Sequence, residues 1–159
     1  MPYLACTACG EKHPLATPLR CTCGEPLEVR YENLTPPARL EKEPCFISRN
    51  INIFPFPNLR PELSLGEGGT PLLEAIQLEA ATGLTEIYLK NETVNPTWSF
   101  KDRGTSLGVQ AAIQLGLSHV GTVSSGNMAA SVAAFAARAG LEAYVFVAGD
   151  IPEGKIRPI

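Results

Sequence analysis

The sequence predicts an α/β domain with a parallel sheet, preceded by a small four-cysteine, zinc-ribbon-like segment. Helical and strand patterns alternate after residue 64, as right-handed crossovers between parallel strands require. Before residue 34, four cysteines form two close pairs. Six prolines between residues 34 and 63 exclude long helices and favour an extended connector. The predicted segments are therefore a ribbon over 1–33, a Pro-rich connector over 34–63 and an α/β domain over 64–159.

The two cysteine pairs have the spacing of a tetrahedral zinc site. A glycine follows each pair and lets backbone N–H groups approach the sulfurs, and residues 26–31 are predicted to form a closing strand. Four thiolates complete a closed structural site, so His13 is expected to be an ordinary loop histidine. The predicted zinc ligands are Cys6, Cys9, Cys21 and Cys23.

Two other roles fit these cysteines less well. Disulfides need an oxidising compartment, and no charged and apolar leader precedes Cys6. A redox Cys-x-x-Cys motif usually opens a helix after a strand, whereas Cys6 to Gly10 leads into a turn-like segment. Structural zinc and a cytoplasmic location are therefore expected. Cys45 stands apart and is expected to be a small packed or free thiol.

The elements after residue 64 are predicted from hydrophobic periodicity and from glycines that follow the helices. Turns after parallel strands are candidate ligand sites, because open α/β sheets bind ligands at the carboxyl ends of their strands. The predicted order is a helix over 72–81, a strand over 86–90, a helix over 101–115, a strand over 119–123, a helix over 127–139 and a strand over 143–147.

Lys101 is the candidate catalytic residue, because it lies in the first turn of a predicted helix. Ser99 is expected to cap this helix, and Asp102 to complete a capping box. The positive end of the helix dipole disfavours an ammonium charge there, so the amine is favoured as a nucleophile toward an aldehyde. A lone lysine in such a position is more often simply solvated, so the assignment depends on further motifs.

The turn Ser124-Ser-Gly-Asn127 is the second candidate site. It lies between a predicted strand and a predicted helix, and it presents hydroxyls, backbone N–H groups and an amide at a helix N-terminus. Such a turn can bind an anion. The same residue types also form ordinary turns and caps, so this turn alone is not specific.

Three motifs together resemble the fold-type II family of pyridoxal phosphate (PLP) enzymes, and within it the threonine synthases. The stretch from Leu65 to Leu73 is similar to the family's Gly-Glu-Gly-x-Thr-Pro-Leu segment. Asn95 to Gly104 is similar to its Schiff-base lysine segment, and Ser124 to Asn127 to its substrate carboxylate loop. The resemblance covers about residues 60–156. Trp98 replaces the glycine that is common at its position.

The resemblance implies a PLP-dependent carbon–oxygen lyase that converts O-phospho-L-homoserine to L-threonine and phosphate. It implies that Lys101 forms the Schiff base with PLP and, once free, acts as the general base. Phe100 is implied to pack beside the cofactor, and Asn127 to hydrogen-bond its phenolic oxygen. The implied substrate-binding residues are Ser124, Ser125, Gly126, Asn127 and Met128.

The resemblance also implies parts that are expected beyond this sequence. In the family, the glycine loop for the cofactor phosphate and the residue facing the pyridine nitrogen come later, so residues 64–159 are expected to form a partial fold-type II domain. The expected partners are a small amino-acid substrate and either a second copy or a complementing carboxy-terminal half. Cysteate synthase, a threonine dehydratase-like enzyme and a non-catalytic zinc-ribbon α/β binding module remain open as alternatives.

Composition sets outer limits on these functions. The chain of 159 residues is 45% hydrophobic and 18% charged, which is typical of a globular domain. Its formal net charge of −3 argues against a nucleic-acid partner. No apolar run approaches the length of a membrane span, so a membrane partner is not expected.

Overall fold

The computed structural model describes residues 2–15, 20–33, 46–157 and 159. The chain divides into two compact units, one of residues 1–41 and 50–59 and the other of residues 42–49 and 60–159. The three-segment division made from the sequence remains a prediction. Outside the described residues lie Cys45 and the connector prolines Pro36, Pro37 and Pro44.

The first unit contains a three-stranded antiparallel sheet. Strand β1 (Pro2–Cys6) is central, between β2 (Lys12–His13) and β3 (Leu27–Tyr31). The closing strand predicted over 26–31 is therefore confirmed as β3. Among residues 2–15 and 20–33 the buried side chains are those of Cys6 and Cys21. Within these two ranges the sheet therefore buries no large apolar side chain.

The second unit carries the predicted helix and strand alternation. This unit also contains one-turn 3-10 helices, Pro61–Leu63 and Glu92–Val94. The elements in chain order are α1 (Phe46–Asn50, whose last residue is assigned to the first unit), β4 (Leu72–Glu74), α2 (Ile76–Thr82), β5 (Tyr88–Lys90), α3 (Lys101–Gln114), β6 (His119–Val123), α4 (Asn127–Ala139), β7 (Glu142–Phe146) and α5 (Glu153–Ile156).

The parallel sheet is confirmed in β6 and β7, which pair in parallel. Helix α4 connects these strands and packs against both of them and against α3. It ends at Gly140, whose φ of 71° lies in the left-handed region that favours glycine. The buried apolar side chains of this helix pair are Val109, Ala112, Ala129, Val132, Phe135 and Ala136.

The helix predicted over 72–81 is wrong in its first half. Residues 72–74 form β4, which pairs antiparallel with β5 in a separate two-stranded sheet. Ala75 N then donates to Ile87 O at 2.8 Å, and helix α2 starts only at Ile76. Pairing with a strand fourteen or more residues away has overridden the local helical pattern.

No helix among the described residues has both the length and the apolar character to cross a lipid bilayer.

Candidate active site and candidate metal centre

Lys101 is the first residue of α3, and its side chain is half-buried. Its Nζ lies 4.5 Å from the centroid of the Phe100 ring, which is itself 57% exposed. Ser99 Oγ accepts a hydrogen bond from Lys101 N at 3.3 Å. The amine thus lies on an aromatic face at the start of a helix, with a route to solvent.

The capping box predicted between Ser99 and Asp102 does not form. The Asp102 side chain does not bond back to Ser99, although the Asp102 N–H donates to Ser99 O at 3.3 Å. Its Oδ2 accepts from Thr97 N at 2.7 Å, and its Oδ1 accepts from the Thr97 hydroxyl. Ser131 Oγ, on α4, donates to the same Oδ1 at 2.7 Å. The Asp102 side chain is 0% exposed. A buried carboxylate with three donors therefore closes the loop of residues 97–102.

The N-terminal turns of α3 and α4 lie side by side. Besides the bond between Asp102 and Ser131, Thr105 Oγ1 donates to Met128 Sδ at 3.7 Å. Both contacts join the first two turns of one helix to the first two turns of the other. Lys101 and the turn of residues 124–128 therefore lie at the same end of the helix pair.

The turn of residues 124–128 leaves the N-terminus of α4 open. Ser124 follows β6 directly, and its N–H donates to Phe146 O at 3.1 Å. Ser124 Oγ accepts from Gly126 N at 3.3 Å, but no described side chain caps α4. The first N–H groups of this helix, beside an exposed Asn127, are available to a carboxylate or phosphate.

Behind the lysine segment lies an ion pair that the sequence did not predict. Arg103, two residues after Lys101, donates from Nε and Nη2 to the two oxygens of Glu92, at 2.8 Å each. Thr70 Oγ1 donates to Glu92 at 2.7 Å and accepts from Arg103 at 3.1 Å. The Arg103 guanidinium holds the pKa of Glu92 at about 2, below its ordinary 4.5.

The glycine-rich segment of residues 66–69 packs against the same network. Gly68 N donates to Asn95 Oδ1 at 2.9 Å, and Asn95 Nδ2 donates to Glu92 Oε2 at 2.9 Å. A Cβ on Gly68 would lie 2.7 Å from Cβ of Phe46, so only glycine fits there. Two of the three sequence motifs are thus joined by hydrogen bonds, through Gly68 and Asn95, which were not among the predicted site residues.

Glu67, in the same segment, is a buried acid that the sequence did not single out. Its Oε2 accepts from Ser64 Oγ at 2.7 Å and from Leu65 N at 3.0 Å. Among the described residues its Oε1 has no hydrogen-bond partner, and the side chain is 1% exposed. These two bonds fix the local turn of residues 64–67.

Trp98 has a φ of 58°, in the left-handed region that tryptophan rarely adopts, and its side chain is 74% exposed. The backbone at this position therefore has a conformation that favours glycine, and the family that the chain resembles commonly has glycine there. We expect Trp98→Gly to raise the free energy of unfolding by about 0.5–1 kcal/mol, since relief of 1–2 kcal/mol of strain outweighs the entropy of glycine.

The measurement for this prediction is denaturant unfolding of the chain and its variants. Trp98→Ala is the matched control, because it removes the indole and keeps a Cβ at positive φ. If Trp98→Ala stabilised the chain as much as Trp98→Gly, the gain would come from the lost indole and not from the backbone.

The four predicted zinc ligands come together in the first unit. Four sulfurs at about 2.3 Å from a tetrahedral zinc lie about 3.8 Å apart. The observed sulfur–sulfur distances are 3.5 Å between Cys6 and Cys23, 3.6 Å between Cys9 and Cys21, and 3.8 Å between Cys9 and Cys23. All four sulfurs lie within 4.8 Å of one another. The cluster thus fits a single zinc ion.

The surroundings of Cys6 suit a thiolate ligand. The N–H groups of Cys9 and Ala8 point at Cys6 Sγ and lower the pKa of its thiol from 9.0 to about 6. Glu11 lies beside Cys21 at 3.2 Å, and His13 Nε2 lies 3.7 Å from Glu11. His13 is on β2, next to the four-sulfur cluster and not one of its members.

Comparison with protein families identifies the α/β part of the chain. Residues 63–159 match the model of the family described as pyridoxal-phosphate dependent enzyme. This match covers more than half of the sequence. The chain therefore belongs to the family of pyridoxal-phosphate dependent enzymes, and its second unit is an α/β domain of that family.

Curated relatives add detail. The chain is 38% identical to threonine synthase of Methanocaldococcus jannaschii over 95% of this chain and 38% of the relative. It is 33% identical to threonine synthase of Methanosarcina acetivorans over 98% of this chain and 40% of the relative. Threonine synthase of Mycobacterium tuberculosis is 50% identical over 59% of this chain and 25% of the relative. The chain spans about two fifths of the length of the two archaeal relatives, and those matches cover nearly all of it.

Proposed function

We propose that this chain is the amino-terminal portion of a PLP-dependent carbon–oxygen lyase of the threonine synthase type. The proposed reaction converts O-phospho-L-homoserine to L-threonine and phosphate. The observation that carries the proposal is the common location of Lys101 and the open N-terminus of α4 at one end of the α3–α4 pair. Matches at 38% and 33% sequence identity to two threonine synthases, each over nearly the whole of this chain, support the same assignment.

The residues present fit PLP and an amino-acid substrate. A half-buried amine beside an aromatic ring suits the aldehyde end of the cofactor, and Lys101 would hold it there with Phe100 packed alongside. PLP, when bound, supplies the electron sink for the substrate carbanion. Lys101, once its amine is free, would move the substrate α-proton as general base.

The proposed substrate groups lie on the turn of residues 124–128. The N–H groups at the start of α4 would bind the amino-acid carboxylate, because no side chain in the described part of the protein caps them. Asn127 would donate its amide N–H to the phenolic oxygen of the cofactor. Ser124, Ser125, Gly126 and Met128 complete the proposed binding surface.

Reductive labelling tests the cofactor assignment. PLP is added to the chain, borohydride fixes any adduct, and peptide mass spectrometry locates it. We expect one dominant adduct at Lys101, which disappears in Lys101→Ala. Selectivity is expected because Lys101 lies at the same end of the helix pair as the N-terminus of α4, whose uncapped N–H groups attract an anion such as PLP.

Lys12 provides the matched control. Its Nζ also lies 4.5 Å from an aromatic centroid, that of Tyr3, but it is on a strand and not at a helix N-terminus. Lys12→Ala should leave the adduct at Lys101 unchanged. Labelling spread evenly over the lysines, or dominated by Lys12, would contradict Lys101 as the cofactor lysine.

We also propose that Cys6, Cys9, Cys21 and Cys23 bind one structural zinc ion. The sulfur separations support this, and so does the absence of a large buried apolar side chain among residues 2–15 and 20–33. A closed four-thiolate site has no open position for catalysis, so the metal would stabilise the fold. Cysteines that bind zinc instead of forming disulfides also favour a reducing compartment, such as the cytoplasm.

A further inference from the structure

We propose that Asp102 is a positioning residue that fixes the lysine segment, residues 97–102, to helix α4. The inference rests on the proposed function, because it assigns the contact that holds Lys101 in register with the turn of residues 124–128. Among the described residues, the Asp102 side chain hydrogen-bonds Thr97 and Ser131 and none of the proposed binding residues. It acts through the loop that precedes Lys101 and through Ser131.

The geometry gives Asp102 two different attachments. Toward its own chain, it accepts from the backbone N–H and the hydroxyl of Thr97, five residues earlier. Toward α4, it accepts from Ser131 Oγ, which lies one turn after Asn127. One carboxylate therefore joins the loop before Lys101 to the helix that presents the substrate turn. Across the described residues, no other side-chain hydrogen bond links residues 97–102 to α4.

The contact of Asp102 with Thr97 and Ser131, here called the junction, is buried. Burial makes it sensitive to the loss of any one of its donors. The Asp102 side chain is 0% exposed and Ser131 is 0% exposed, so water cannot replace a lost partner in the closed state. If the segment opens, Asp102 reaches water and recovers its hydration. Loss of the Ser131 hydroxyl should therefore raise the population of the open segment by about tenfold, as expected for a hydrogen bond to a buried charge.

Amide hydrogen exchange without cofactor tests the junction. The Thr97 amide, which donates to Asp102, is compared with the amide of Phe135 in the core of α4, so local opening is separated from global unfolding. In Ser131→Ala we expect exchange at Thr97, relative to Phe135, to be about tenfold faster. Ser106→Ala is the matched control, because Ser106 is a buried serine on α3 that donates within its own helix, to Arg103 O at 3.0 Å.

Asp102→Asn is the conservative variant. The Asn carbonyl can accept from Thr97 N, and its NH2 can donate to the hydroxyls of Thr97 and Ser131, which also accept hydrogen bonds. Exchange at Thr97 should then stay within about threefold of the unmodified chain. If exchange at Thr97 accelerated in Asp102→Asn as much as in Ser131→Ala, the hydrogen-bond geometry of residue 102 would not be what holds the segment closed.

A second readout, PLP labelling at Lys101, connects the junction to the amine. We expect the share of adduct at Lys101 to fall in Ser131→Ala and to be retained in Asp102→Asn, because Ser131→Ala lacks the bond that positions the loop before Lys101 against α4. Unchanged exchange at Thr97 in Ser131→Ala, or equal acceleration in Ser106→Ala, overturns the proposal, as does unchanged labelling in Ser131→Ala. If the unmodified chain shows no selectivity for Lys101, the proposed function fails, and the exchange measurement still decides the role of Asp102.

Discussion

Removal of zinc is expected to unfold the three-stranded sheet of the first unit. The described residues 2–15 and 20–33 bury two cysteines and no larger apolar side chain, so hydrophobic burial within these residues contributes little to holding β1, β2 and β3 together. Structural zinc contributes about 10–16 kcal/mol in comparable small domains at neutral pH. Loss of this contribution exceeds the stability that a segment of this size can retain.

The measurement combines metal analysis with NMR. We expect one zinc per chain, and a chelator should collapse the amide dispersion of residues 2–33 while signals from α3 and α4 persist. Cys21→Ser should reproduce the effect, because Cys21 is one of the four clustered thiols and is buried. Cys45→Ser is the matched control, since Cys45 belongs to neither cysteine pair. A chain that kept its sheet signals in excess chelator would show that the sheet does not depend on metal.

Local signals in the sequence were sufficient for the helix that carries the proposed substrate turn. Helix α4 begins at Asn127 and ends at Ala139, as predicted, because a Ser-Gly-Asn turn precedes it and a left-handed glycine follows it. The cysteine cluster was predictable for a similar reason. The spacing of cysteines within two short turns predicts four tetrahedral zinc ligands, whatever the rest of the chain does.

Contacts between distant residues could not be predicted in the same way. Asp102 and Ser131 are 29 residues apart, and their bond depends on how α3 packs on α4. The Asp102 pattern was interpreted as a cap for Ser99, whereas the buried carboxylate bonds Thr97 and a second helix. The same limit explains β4, where pairing with β5 replaced a predicted helical turn. The sequence thus indicated which residues are polar at the site but not which of them bond one another.

The ion pair behind the lysine segment should contribute strongly to the stability of the second unit. In Arg103→Ala, we expect the free energy of unfolding to fall by about 2–3 kcal/mol, because a part-buried Glu92 carboxylate loses a two-bond partner. The side chains of this pair are 26% and 23% exposed. Arg60 and Glu62 form the matched control pair, with side chains 51% and 62% exposed, so Arg60→Ala should cost about 0.5 kcal/mol or less.

The pH dependence separates the charge of Glu92 from simple loss of packing. Since Arg103 lowers the pKa of Glu92 from 4.5 to about 2, the stabilisation is fully present above pH 4.5 and is lost as the pH falls toward 2. In Glu92→Gln this contribution is absent at every pH. The stability difference between the unmodified chain and Glu92→Gln, measured by denaturant unfolding, should therefore be constant from pH 7 to 5 and shrink progressively between pH 4.5 and 2. A difference that stayed constant down to pH 2 would show that the contact acts through packing or neutral hydrogen bonds, because protonation of Glu92 would then have no effect on folding.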